Sequence, residues 1–89
     1  MEVFLKSKEL NRFMCIVKDG NFCREMTIAH FIDGSIDIAE TKRCLPIDVW
    51  SKSIVETDRY EKSNKADFME AYKNAKNTIK SFADKLIMK

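Results

Sequence analysis

One apolar pattern near the C-terminus most constrains the fold of this 89-residue chain. Spacings of three and four residues place six side chains along one face of a helix: Phe68, Tyr72, Ala75, Ile79, Phe82 and Leu86. Asn64 is suited to cap the N-terminus of this helix, and Asp67 follows it in a capping-box-like position. The sequence therefore predicts a long amphipathic helix over roughly residues 65–87.

The N-terminal half contains two Asp-Gly dipeptides, beginning at Asp19 and Asp33, and each lies between apolar segments. A type I′ turn needs positive φ at both central residues, which Asp and Gly tolerate better than most residues. We therefore predict two β-hairpins, with Val3–Leu5 as a further short strand. Together they predict an antiparallel meander of about four strands within residues 2–45.

The same region admits a helical interpretation. Apolar residues also recur at helical spacing in Leu10, Phe13, Met14 and Val17. Gly20 could end such a helix. We favour strands because Ile, Val, Phe and Cys cluster densely and both Asp-Gly dipeptides are typical of hairpins. On sequence alone, both strands and helices remain open for residues 8–32.

Pro46 marks a change of structure after the predicted sheet. Proline suits the first position of a helix, and Ile47, Trp50 and Ile54 then recur at helical spacing. This pattern predicts a short helix over residues 46–56, and an extended segment around Ile54 is the alternative.

The remaining connection and the size of the chain complete the expected architecture. Residues 57–64 are polar and are predicted to connect the two helices. Residues 1–89 are enough for a single domain, whereas either half would be too short to bury a core. The expected fold is α+β, with the long C-terminal helix packed on one face of the antiparallel sheet.

Composition and the number and spacing of cysteines limit the classes of protein to which this chain can belong. Hydrophobic residues make up 45% of the chain and charged residues 34%, as in ordinary globular proteins. No apolar run approaches the roughly 18–20 residues needed to cross a bilayer. The three cysteines are irregularly spaced, and the first ten residues carry four charges, so neither a disulfide scaffold nor a signal peptide is indicated. We expect a cytoplasmic protein without membrane association; a leader removed before residue 1 would leave no trace.

Residue types that bind zinc occur without the usual spacing. These residues are Cys15, Cys23, His30 and Cys44. Structural zinc sites usually place two ligands within one tight turn, and this chain has no such pair. The interpretation is that these residues belong to the core or the surface, so no metal and no cofactor is predicted.

Catalytic patterns are equally weak. Asp33 or Asp37, followed by Glu40 and Lys42, looks like a fragment of the D…E-x-K arrangement of metal-dependent nucleases. Such triplets are common in lysine-rich chains, and these residues are equally explained as solvated hairpin charges. His30 is the one histidine, and no nucleophile motif accompanies it. We therefore predict no catalytic residue and no enzymatic activity.

A non-catalytic binding module that acts through protein–protein contacts, such as a regulator or inhibitor, is the leading functional hypothesis. Aromatic and methionine side chains contribute heavily to interface hot spots. The candidate contact residues are Trp50, Tyr60, Ile87 and Met88. The expected partner is another protein or a second copy of the chain, since the apolar spacing of the last helix also suits a helix pair. For Trp50, a place in the core is the alternative.

Nucleic-acid binding is the second hypothesis. The last 27 residues hold six lysines and three acids, and Lys73, Lys76 and Lys80 form a stripe on the predicted helix. Such a stripe could contact phosphates, with an affinity that falls as salt rises. The sequence pI of about 8.4 and the small number of arginines are equally compatible with a solvated lysine face.

Overall fold

The computed structural model describes residues 2–87, with side chains as far as Leu86. The elements follow one another as β1 (Glu2–Ser7), β2 (Arg12–Asp19), β3 (Phe22–His30), β4 (Ile36–Arg43), α1 (Ile47–Glu56), β5 (Tyr60–Lys62) and α2 (Lys65–Ile87). The strands form one antiparallel sheet in the order β4-β3-β2-β1-β5. The predicted α+β fold, with a meander followed by a long helix, is therefore confirmed. Within the described range, no helix combines the length and apolarity needed to span a membrane.

The region that was ambiguous between strands and helices is a β-hairpin. Asp19 at the end of β2 pairs with Phe22 at the start of β3, so the loop consists of Gly20 and Asn21. Gly20 has a φ of 62°, and Asn21 does not have a positive φ. The expected type I′ turn centred on Asp19 and Gly20 is therefore wrong. A positive φ at the first central residue only is typical of a type II′ turn, which also matches the twist of the strands.

The segment predicted as a polar connection contains β5. This three-residue strand pairs with β1, and the Lys8 amide donates to the Arg59 carbonyl oxygen at 2.9 Å. The Ser63 amide extends the pairing with a 2.8 Å bond to the Phe4 carbonyl oxygen. Such a short strand carries no recognisable periodicity, because its stability comes from pairing with a distant strand.

The two helices pack on opposite faces of the sheet. The α1 face carries Leu5, Met14, Ile16 and Cys23, which form a buried cluster with Ile47 and Ile54 of α1. The α2 face carries Ile28 together with the partly buried Phe4, Phe13, Cys15 and Met26, which pack against Phe68, Ala71 and Ala75 of α2. The strands alternate apolar side chains between these faces, so each helix stabilises one side of the sheet.

Helix α2 is capped as predicted but is buried along only part of its length. The Asn64 side-chain oxygen accepts a 2.8 Å hydrogen bond from the Asp67 amide. The predicted apolar stripe is buried at Phe68 and Ala75 but exposed afterwards, with Phe82 63% exposed. A helix of 23 residues is about 34 Å long. This length exceeds the roughly 19 Å between the outer strands of a five-stranded sheet.

Candidate functional site

A concave groove of about 620 Å³ opens on the α1 face, beside α1 and over β3 and β4. Its floor consists of small side chains, namely Thr27, Ala29, Ala39 and Thr41. The same two strands carry bulky side chains on the α2 face, namely Met26, Ile28, Ile36 and Ile38. The concavity therefore arises from the strand alternation, and its volume lies in the range of ligand sites, about 300–1,000 Å³.

Three of the four arginines of the chain line this groove, which we call the arginine groove: Arg12, Arg43 and Arg59. The Arg12 amide donates to the Ser7 hydroxyl at 2.9 Å, and Ser7 pairs with Tyr60, so Arg12 and Arg59 lie at the same end. Within residues 2–87, neither Arg12 nor Arg59 has a carboxylate within ion-pair distance. Two guanidinium groups at this end are therefore available to an anionic ligand.

The third arginine is neutralised by a buried carboxylate. Glu25 is 3% exposed and accepts a hydrogen bond from Arg43 Nε on one oxygen. Its second oxygen accepts a long hydrogen bond, 3.4 Å, from Trp50 Nε1. The Arg43 guanidinium carbon also lies 4.5 Å from the centre of the Trp50 ring. These contacts hold the Trp50 indole at the groove wall and balance the charge of Glu25.

Two of the predicted contact residues, Trp50 and Tyr60, meet at the arginine groove. Both are half-buried and also pack against the hydrophobic core. The side chain of Ile87 and the whole of Met88 lie outside the described residues. The role of these four residues in partner contact remains a prediction.

The lysine stripe lies on the opposite side of the molecule. Lys73, Lys76 and Lys80 are exposed on α2, on the far side of the sheet from the arginine groove. Lys76 Nζ lies 5.5 Å from the centre of the Tyr72 ring. None of the three lysines forms an ion pair with another residue in the described part of the chain. The stripe is thus a separate cationic surface.

The residues considered for zinc and nuclease chemistry are dispersed over both sheet faces. Cys15 lies on the α2 face and Cys23 on the α1 face, where burial raises the pKa of both thiols. Asp37 shares a face with Cys23, whereas Glu40 points to the other side of β4. Among residues 2–87, no three His, Cys, Asp or Glu side chains are placed to hold a metal ion.

The arginines of the groove were not identified from sequence. The sequence contains part of the information needed to find them. Once the strand register is known, strand alternation places Arg12 beside Ala29, and Arg43 beside Cys23, on the same face of the sheet. Arg59 carried no such signal, since it precedes the unpredicted strand β5.

Comparison of the chain with protein-family models, with curated proteins and with solved structures finds no match. A functional interpretation therefore depends on the geometry and charge of the surfaces described above.

Proposed function

We propose that the protein is a non-catalytic binding module that acts through protein–protein contacts and holds an acidic segment of its partner in the arginine groove. The observation that carries this proposal is the position of Arg12 and Arg59 at one end of a concave groove. Neither guanidinium group has an ion-pair partner among residues 2–87. The planar guanidinium fork binds carboxylates with two parallel hydrogen bonds, which makes arginine suited to acidic side chains.

The dimensions of the arginine groove suit an extended peptide. The lining runs along β4 from Asp37 to Arg43, a length of about 20 Å at roughly 3.3 Å per residue. An extended segment of about six residues fits this length. Trp50 and Tyr60 offer rigid aromatic surface along the wall, and the small floor residues allow close approach.

The charge pattern of the groove gives the peptide an orientation. Asp37 lies on the β4 side, separated from Arg12 by Ala29 on the intervening strand. This separation is about 10 Å, or two strand spacings. Acidic side chains are therefore attracted to the β2 side of the groove and repelled from the β4 side.

A fluorescence titration tests the proposal, because Trp50 is the one tryptophan of the chain and lines the groove. The probe is an acetylated and amidated hexaglutamate peptide, with hexaglutamine as the uncharged control. We expect saturable binding of hexaglutamate, a loss of at least about tenfold in the Arg12→Gln/Arg59→Gln variant, and no change in Arg24→Gln. Arg24 is a matched control because it is the one arginine outside the groove. An equal loss in Arg24→Gln, or no loss in the double variant, would contradict the proposal.

Nucleic-acid binding through Lys73, Lys76 and Lys80 is a second candidate, supported by the exposure of all three lysines. The test is binding of a random single-stranded DNA oligonucleotide at several salt concentrations. If the stripe contacts three phosphates, replacing all three lysines by Gln should make the slope of log K against log salt shallower by about 2. A loss confined to the Arg12→Gln/Arg59→Gln variant would instead assign oligonucleotide binding to the arginine groove.

A further inference from the structure

Strand β4 is an edge strand, and its unpaired side forms a free border of the sheet. Its eight residues, Ile36–Arg43, pair with β3 on one side and with no other strand in the described part of the chain. The opposite border is the three-residue strand β5. A long unpaired border exposes backbone donors and acceptors, and it is a template for pairing with another strand.

Helix α2 runs across the strands and extends past this border. Near its start, Phe68 lies over β1, with its ring centroid 5.9 Å from that of Phe4. Seven residues later, Ala75 belongs to the cluster that contains Ile38 of β4. Crossing from β1 to β4 takes about 14 Å, or about ten helical residues at 1.5 Å each, so a crossing that begins at Phe68 ends near residue 78. Residues 79–87 therefore form an overhang of about 13 Å beyond β4.

The overall dimensions agree with this geometry. The longest extent of the molecule is 47 Å, against 28 and 20 Å along the other two axes. The radius of gyration is 14.3 Å, whereas a compact domain of this length has about 12 Å. The overhang thus leaves the globular body instead of folding back on it.

The overhang carries apolar side chains on the side that faces the space next to β4. Ile79, Phe82 and Leu86 continue the stripe with which α2 contacts the sheet, and they are 41%, 63% and 61% exposed. An apolar stripe on a helical segment without support is unfavourable in water, because short helices depend on packing for their stability.

A matching cavity lies beside α2 on the same sheet face. This apolar groove has a volume of about 380 Å³ and is lined mainly by Cys15, Val17, Met26, Met69 and Tyr72. It reaches the free border at Glu40 of β4. The molecule therefore presents an apolar projection and an apolar recess at the same border.

We infer that two copies of the chain associate about a two-fold axis perpendicular to the sheet, with their β4 strands paired antiparallel and each overhang seated in the apolar groove of the other copy. The charges of β4 favour a second copy as the occupant. The acids Asp37 and Glu40 precede the bases Lys42 and Arg43 along the strand. Antiparallel pairing of identical strands can therefore place the acids of each strand beside the bases of the other.

This complementarity holds on both faces of the sheet. Asp37 and Arg43 point to the α1 face, whereas Glu40 and Lys42 point to the α2 face. A two-fold axis perpendicular to the sheet at Thr41 keeps equivalent faces on the same side. Glu40 then lies opposite Lys42 of the second copy, and on the other face Asp37 lies diagonal to Arg43 of the second copy.

The same axis explains where the overhang goes. Helix α2 passes β4 near Ile38, on one side of an axis placed at Thr41. Antiparallel pairing then brings the overhang to the other end of the second copy's sheet, where Val17 lines the apolar groove. The interface is self-complementary, as a two-fold dimer requires. It leaves Arg12 and Arg59 of the arginine groove outside the contact, because neither lies on β4.

Light scattering coupled to size-exclusion chromatography tests this inference. The wild-type chain should elute with twice the chain mass of 10.4 kDa and dissociate on dilution. Phe82→Asp should give a monomer, because it places a charge in the apolar contact, while circular dichroism reports an intact fold. Leu10→Asp is the matched control, since Leu10 is 58% exposed in the β1–β2 turn, away from β4, and should leave the dimer unchanged.

Charge reversal on β4 tests the strand pairing separately. Glu40→Lys alone and Lys42→Glu alone should each weaken the dimer, because like charges then meet across the axis. The combined Glu40→Lys/Lys42→Glu variant should recover the dimer, since complementarity is restored with the signs exchanged. A monomeric wild-type protein up to millimolar concentration would overturn the inference. A dimer unaffected by Phe82→Asp, or one weakened further in the combined variant, would overturn it as well.

Discussion

Arg43 on β4 donates a hydrogen bond from Nε to the carboxylate of Glu25 on β3, although the two residues do not oppose each other in the strand register. Thr41 opposes Glu25, so the arginine reaches diagonally across the strand pair. Trp50 of α1 donates to the second carboxylate oxygen. One buried carboxylate therefore connects β3, β4 and α1 at the wall of the arginine groove.

Replacing Arg43 with Met should destabilise the fold because it leaves the Glu25 charge buried without a cation. Loss of one partner of a buried ion pair costs roughly 3–5 kcal/mol, and the partial exposure of Arg43 places this case near the lower limit. Urea unfolding of Arg43→Met measures the effect. Adding Glu25→Gln should recover part of the lost free energy, because the buried charge is then removed. A double variant as unstable as the sum of the two single variants would show that the pair is not coupled.

Filling the arginine groove should block ligand binding without unfolding the protein. Ala39 is exposed on the groove floor, and Ala39→Phe places a ring where the peptide backbone would lie. We expect the affinity for hexaglutamate to fall at least about tenfold, with the free energy of unfolding within about 0.5 kcal/mol of wild type. Lys62→Phe is a matched control, because Lys62 is exposed on the same face but outside this groove. Unchanged affinity in Ala39→Phe would place the peptide elsewhere.

Two turn residues with left-handed backbone should respond in opposite directions to substitution. Gly20 has a φ of 62°, and an added Cβ would meet nothing within 4 Å, so Gly20→Ala introduces conformational strain alone. Leu10 has a φ of 59° and already carries that strain. We expect Gly20→Ala to lower the free energy of unfolding by about 1 kcal/mol and Leu10→Gly to raise it by a similar amount. Thermal unfolding of both variants measures the difference, and a shift in the same direction for both would contradict the assignment of strain.

The elements that could be predicted from sequence are those specified by neighbouring residues. The apolar spacing from Phe68 to Leu86 and the Asn64 cap define α2 within one segment, and both are local signals. The hairpins were recognisable for the same reason, although neither turn is the expected type I′ turn. The first lies one residue later than expected, and the second is a five-residue loop over residues 31–35 in which Gly34 has a positive φ but Asp33 does not. Strand β5 could not be predicted, because three residues have no period and Tyr60 is placed by pairing with Ser7.

The candidate site was harder to predict because it is assembled across the sheet. Arg12 and Arg59 are 47 positions apart in sequence and meet only through the pairing of β5 with β1 and of β1 with β2. Trp50 and Tyr60 were selected from sequence for their side-chain chemistry, and the structure places both on the groove wall. The charges that accompany them depend on strand register, which sequence patterns leave undetermined.

The cysteines provide a last prediction, in which the sign of the pH dependence follows from burial. Burial raises the pKa of the fully buried Cys23 thiol, and the nearby Glu25 carboxylate raises it further; burial and Glu2 do the same for Cys15. Between the unfolded pKa of about 8.5 and these raised values, the folded state holds more protons than the unfolded state. The free energy of unfolding should therefore decrease as pH rises above about 8.5.

Urea unfolding at pH 8 and pH 9.5 measures this decrease, and Cys15→Ala/Cys23→Ala should make it smaller. Cys44 is exposed and serves as the matched control, so Cys44→Ala should leave the pH dependence unchanged. Thiol labelling gives an independent reading, because the thiolate is the reactive form. Cys44 should react first in the native protein and Cys23 only on unfolding, whereas equal rates at neutral pH would contradict the burial of Cys23. Cys15 lines the apolar groove, so Phe82→Asp should also speed its labelling if the overhang of a second copy covers it.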